Sequence, residues 1–114
     1  MPYFSIETNQ AIDPSSHRDL MKKASTFIAE MLGKPESYVM IDLKPKTPLI
    51  FAGSDEPAAF VRLKSIGLSK GLCTEYSEKI CGFVKQELEV APTRVFIDFK
   101  APEREMFGWN GKTF

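Results

Sequence analysis

Residues Tyr38–Lys44 read YVMIDLK and Arg94–Lys100 read RVFIDFK, agreeing at four of seven letters and conservatively at two more. Their aspartates, Asp42 and Asp98, lie 56 residues apart, and the same step carries Phe4 onto Phe60. Each of those earlier strand-like segments is followed by a helical pattern. A chain that repeats strand, helix, strand at this spacing is two β-α-β units in tandem. Parallel strands joined through a helix take a right-handed crossover. The expected α+β fold is therefore a four-stranded sheet with both helices on one face. The units run over 2–44 and 58–100, with a tail from 101 to 114, in a single domain spanning 1–114.

The local signals agree with this division. Tyr3, Phe4, Ser5, Ile6, Glu7 and Thr8 mix aromatic, β-branched and polar residues as a half-buried strand does. Asp13-Pro14 reads as an N-cap followed by proline at the first helical position. Leu20, Met21, Ala24, Phe27, Ile28, Met31 and Leu32 recur at three- and four-residue spacing, and Gly33 is a C-terminal stop. YVMIDLK is the second strand, LIFAG a short apolar strand or bend, and Ser54–Pro57 a turn. Ala58–Gly67 is the third strand. The second helix carries Tyr76, Ile80, Phe83, Val84 and Leu88 on one face, and RVFIDFK is the last strand.

Two helices on one side leave the other side of the sheet bare. In VFIDF, Val95, Ile97 and Phe99 alternate with Phe96 and Asp98, so bulky apolar groups are expected on both faces. A bare apolar face calls for a partner, and with one chain type a closed homo-oligomer is the simplest one.

Composition narrows the function classes. Fifteen basic and fifteen acidic side chains cancel, so no global field recruits nucleic acid or an anionic membrane. No apolar run approaches the roughly 20 residues of a membrane helix, and no signal-peptide pattern marks export. Cys73 and Cys81 fit neither a zinc knuckle nor a CxxC redox pair. His17 is the only histidine, so no metal site is expected. These features predict a cytoplasmic globular domain, a location that non-classical secretion would not contradict. An RNA-binding module shares the β-α-β-β-α-β order, but this chain lacks that module's basic-aromatic strand signature.

The first residues, MPYF, raise a chemical question. Proline at position 2 favours removal of the initiator methionine, which would leave Pro2 as a free secondary amine. A strand starting at once holds that amine still, where most termini fray. It is then a candidate base, set against the plain reading of a proline tolerated at a strand's first position.

The ordered motifs resemble one family. They are MPxF, Thr8-Asn9, Gly33-Lys34-Pro35 with Tyr38, the SDEP turn, LKSIG (Leu63–Gly67), YSEKICG (Tyr76–Gly82), Pro92–Val95 and GWNGKTF (Gly108–Phe114). Together they are similar to the macrophage migration inhibitory factor family within the tautomerase superfamily. That resemblance implies a homotrimer of tandem β-α-β chains with their sheets facing inward. It implies a cofactor-free keto–enol tautomerase acting on a small aromatic α-keto acid such as phenylpyruvate, or on dopachrome derivatives. Pro2 would be the catalytic base, with Lys34, Ile66, Phe96, Asp98, Phe107 and Trp109 as substrate-binding residues.

The implied chemistry is physically reasonable. A free α-amine has a pKa of about 7.7–8.0 in model peptides, and proline's secondary amine starts higher. An apolar pocket and a neighbouring cation both penalise its charged form, which brings a populated free base to neutral pH. Lys34 would be that cation and would also pair with the substrate carboxylate. The Ile66 backbone N–H would meet the substrate, and Phe107 and Trp109 would form the wall for its ring.

Two positions depart from the family pattern. Phe96 stands where the best-known member has tyrosine, removing one hydroxyl and its hydrogen bond. Asp98 stands for asparagine; ionised, it would repel an anionic substrate and raise the pKa of Pro2, unless a cation of an adjoining subunit pairs with it. The family's CxxC is replaced in Pro57–Val61 by PAAFV, so thiol-oxidoreductase activity is not expected. A protein-binding or signalling trimer without chemistry is the alternative function.

Overall fold

The central pair of the sheet is antiparallel. In the computed structural model, which describes all 114 residues, β1 (Tyr3–Thr8) runs against β3 (Ala59–Lys64). Two outer strands lie parallel to these, β2 (Met40–Lys44) on β1 and β4 (Val95–Lys100) on β3. The order β2-β1-β3-β4 follows from two β-α-β units set side by side. The crossovers are α1 (Pro14–Leu32) and α2 (Cys73–Leu88). Neither helix is long and apolar enough to cross a membrane.

Both ends of α1 are set locally. The Asp13 carboxylate accepts the Ser15 N–H at 3.0 Å, and Pro14 occupies the first turn. At the other end Gly33 takes a left-handed conformation at φ 63°, which glycine reaches without steric cost. The Lys34 N–H then returns to the Ala29 carbonyl at 3.0 Å, so the chain leaves the helix in a Schellman turn. That turn fixes where Lys34 begins.

The core lies between the sheet and both helices. Phe4, Ile6, Val61 and Leu63 face Leu20, Ala24 and Ile28 of α1 and Ile80, Val84 and Leu88 of α2, all buried. Phe27 stacks on Phe83 at 4.7 Å and ties the two helices together.

Three expectations change. First, Tyr38 is not in the second strand: Glu36–Tyr38 form a turn of 3₁₀ helix, and β2 starts at Met40. Second, the 56-residue step does not equate the first strands face for face. Phe4 is buried, whereas Phe60 shares the open face with the exposed Arg62, whose guanidinium lies 5.0 Å from the Phe60 ring centroid. The buried counterpart of Phe4 is Val61, one position on, because the second crossover is one residue shorter. A one-residue shift along a strand exchanges its faces. Third, the open face is not broadly apolar. Glu7, Asp42, Lys44, Arg62, Lys64, Asp98 and Lys100 lie among Tyr3, Met40, Phe60 and Phe96.

The tail holds a further element. β5 (Gly108–Trp109) and β6 (Lys112–Thr113) form a hairpin. Asn110 and Gly111 at its tip have φ 55° and 76°, as a two-residue type I′ turn requires. The Asn-Gly pair is the signal that would have revealed it.

Candidate active site

Pro2 is fully buried at the head of β1, and its carbonyl oxygen accepts the Met40 N–H at 2.9 Å. That bond closes the N-terminus onto the start of β2 and holds it still. A cleft of about 910 Å³ opens over it, with Tyr38, Lys64, Asp98, Phe107 and Trp109 in its walls.

The aromatic wall is assembled by the tail hairpin. Trp109 stacks on Phe114 at 5.8 Å and 11°, and Tyr38 meets Trp109 edge-on at 5.3 Å. Phe107 packs on Phe114 at 5.9 Å. Such mutually packed rings are rigid and give a flat apolar partner for another ring. Tyr38 and Phe114 were not among the expected site residues, and the hairpin is what brings Phe114 to the wall.

The cation expected of Lys34 is held at a defined place. Its Nζ donates to the Ile66 carbonyl oxygen at 2.8 Å. Ile66 occupies a tight turn closed by Leu68 N–H to Ser65 O at 3.3 Å, with Gly67 at φ 76°. The Ile66 N–H makes no hydrogen bond within the chain. The amine of Met1, at the mouth of the cleft, is held below the ordinary range for an N-terminus, first by burial and then by the charge of Lys34. Both effects favour the neutral amine.

Four of the seven expected residues, Pro2, Asp98, Phe107 and Trp109, line one cleft. Lys34 and Ile66 are joined to each other, and the charge of Lys34 is felt at the terminal amine, although neither residue lines the cleft. Phe96 lies elsewhere. It is 66% exposed and packs on Phe51 at 4.7 Å. Four residues along β4 from Lys100, it is about 13 Å from that end of the sheet.

Asp98, left by the sequence either repelling an anion or paired with a cation of an adjoining subunit, has a cation within its own chain. Its Oδ2 lies 4.0 Å from Lys100 Nζ. Asp42, its counterpart in the first unit, accepts bonds from Lys44 Nζ and from the Tyr3 hydroxyl at 2.7 Å. These bonds hold the Asp42 carboxyl below the usual carboxylate range, with Lys44 the larger cause. No three His, Cys, Asp or Glu side chains come together as a metal site would need. Cys81 is half-buried, and burial pushes its thiol up.

The whole chain, residues 1–114, matches the family model described as Macrophage migration inhibitory factor (MIF). A macrophage migration inhibitory factor homolog of Brugia malayi is 38% identical over 115 residues, covering all of this chain and 99% of its own. The crystal structure of a homologue from Prochlorococcus marinus superposes with a TM-score of 0.91 at 36% identity, covering 98% of each chain. The factor from Trichinella spiralis superposes at 0.89 with 32% identity, covering 98% of this chain and 99% of its own.

Proposed function

The chain belongs to the macrophage migration inhibitory factor family, whose members are tautomerases and cytokine-like proteins, and we propose that it is a cofactor-independent keto–enol tautomerase. The substrate class is a small aromatic α-keto acid, with phenylpyruvate as the test compound. The base is the secondary amine of Pro2, exposed when Met1 is removed; with Met1 attached that nitrogen is an amide without basicity.

One observation carries the reading. A buried proline, pinned by its own carbonyl, lies under a cleft walled by packed aromatic rings, and at the adjoining Met1 amine burial and the charge of Lys34 both favour the neutral form. In the keto-to-enol direction the Pro2 nitrogen takes a proton from the carbon beside the carbonyl. As that C–H electron pair becomes the C=C bond, the carbonyl π pair moves onto oxygen, which takes a proton from water, and protonated Pro2 returns its proton to solvent. In this reading the carboxylate end of the substrate reaches beyond the cleft to Lys34 and the free Ile66 N–H, which fixes the reacting carbon near the nitrogen. Phe107, Trp109 and Phe114 hold the ring.

A homotrimer is part of the proposal. Phe96 is too far along β4 to serve its own cleft, and its exposure fits a side chain offered to the Pro2 cleft of a neighbouring copy. Asp98, outnumbered in the cleft by Arg62, Lys64 and Lys100, then tunes the site without blocking an anion. We infer a cytoplasmic location from two thiols with no disulfide framework.

The test is phenylpyruvate ketonisation followed by absorbance, comparing Met-trimmed protein, protein retaining Met1, and Pro2→Ala, each verified by intact mass. Turnover confined to the trimmed wild type, with a loss of about 10²–10⁴-fold in the others, is expected of a positioned base. Equal rates in all three reject Pro2. Background rates in all three, with a stable trimer that captures a specific partner, favour the protein-binding alternative.

A further inference from the structure

The open face of the sheet is ordered in rows that run across the strands. The row beside the cleft is Met40, Tyr3, Lys64 and Lys100; the next is Asp42, Ser5, Arg62 and Asp98. Lys64 and Lys100 are register partners on neighbouring strands, and like charges so opposed repel. Their row contains no carboxylate. Asp98, one row away, reaches Lys100 only at 4.0 Å. Asp42 is occupied by Lys44 and Tyr3. Arg62 lies over the Phe60 ring. Lys64 forms no ion pair in the chain, yet it lines the same cleft as Pro2 and Trp109. Three cations, Arg62, Lys64 and Lys100, thus line the cleft against one carboxylate, Asp98, and Lys34 stands apart from them.

We propose that Lys64 and Lys100 form a second anion subsite, and that the preferred substrate is a dianion: an aromatic α-keto acid bearing a further carboxylate on its ring. This rests on the tautomerase reading, in which Lys34 already holds the first carboxylate. An anion between the two lysines turns a repulsive pair into two charge-assisted contacts. The aromatic wall in the same cleft accounts for the ring between the two anionic ends. The neutral net charge of the whole chain hides this local excess, because the excess arises only when β3 and β4 pair.

Binding and turnover separate the subsite from the tautomerase reading. Trp109 is the only tryptophan and lines the cleft, so its fluorescence reports occupancy. In Met-trimmed protein at low salt, 4-carboxycinnamate is expected to bind about fivefold more tightly than cinnamate, the size of one exposed ion pair. Lys64→Gln abolishes that ratio and Lys64→Arg restores it; Lys64 is exposed, so neither change disturbs the core. In kinetics, kcat/KM for (4-carboxyphenyl)pyruvate over phenylpyruvate follows the same pattern. Equal binding of the two cinnamates, or a preference that survives Lys64→Gln, overturns the subsite. Tighter dianion binding without turnover of either keto acid keeps the subsite and removes the tautomerase reading. Turnover of phenylpyruvate with no dianion preference does the reverse.

Discussion

Lys34 Nζ donates a 2.8 Å hydrogen bond to the carbonyl oxygen of Ile66, joining the turn after α1 to the turn after β3 across 32 residues. Each turn is set by a glycine at positive φ, Gly33 in one and Gly67 in the other. The two units of the repeat thus meet at internal turns, and the meeting holds one cation where its charge reaches the N-terminal amine.

The first prediction concerns pH. In Met-trimmed protein, kcat/KM for phenylpyruvate should rise with pH as the Pro2 amine loses its proton. A cation nearby disfavours the protonated amine, so Lys34→Gln moves the half-rise to higher pH and lowers the rate at neutrality. The move is expected to be partial, because at the neighbouring Met1 amine burial is the larger cause of the lowered pKa and Lys34 the second. Paired pH–rate profiles check the sign, and a half-rise that moves to lower pH contradicts it.

Arg94 carries the second prediction. Its Nε donates to the Pro57 carbonyl at 2.8 Å, and its two terminal nitrogens reach the carbonyls of Phe51, Ser54 and Glu56 at 3.0–3.1 Å. One guanidinium fork therefore holds the whole 51–57 loop to the start of β4. Arg94→Ala should cost about 1.5–3 kcal/mol by urea denaturation, the range for hydrogen bonds to a charged group. Arg94→Lys should recover only part of it, since an ammonium cannot span the same acceptors.

Phe96 gives a third, in two directions. Phe96→Tyr adds a hydroxyl and should tighten phenylpyruvate binding by roughly two- to tenfold, the worth of one hydrogen bond. Because Phe96 is remote from its own cleft, a mixture of Pro2→Ala and Phe96→Ala chains, unfolded and refolded together, should regain activity that neither homo-oligomer has. No regain after confirmed mixing would mean that Phe96 serves no neighbouring site.

The core and the thiols give a fourth pair of expectations. Ile28 is wholly buried between α1 and the sheet, so Ile28→Ala should cost about 2–5 kcal/mol. Cys81 should alkylate more slowly with iodoacetamide at neutral pH than a free thiol does, because burial raises its pKa and lowers its thiolate fraction. Cys81→Ser should leave phenylpyruvate turnover close to wild type.

Much of the fold was legible because its signals are local. Asp13-Pro14 and Gly33 mark the ends of α1 through bonds to residues a few positions away. The four-residue spacing of Tyr76, Ile80, Val84 and Leu88 is the buried face of α2. Tyr38 was misread as strand because the run from Tyr38 to Ile41 is β-prone by composition, while the turn after Pro35 is set by its Tyr38-to-Pro35 and Val39-to-Glu36 bonds. The tail hairpin was equally local, and its Asn110-Gly111 pair was there to be read.

By itself, then, the sequence determined two β-α-β units, their helix ends and the family to which their motifs belong, since each is written in neighbouring residues. Tertiary structure alone decided the rest. Which face Phe60 takes depends on the length of a crossover rather than on the strand's own letters. Lys64 becomes the neighbour of Lys100, and Phe96 is carried away from Pro2, only through the register of β3 on β4. Asp98 meets its cation along its own strand, and Lys34 meets Ile66 across two turns. Charge and reactivity fall off within a few ångströms, so they follow distances in space, and local pattern does not record those distances.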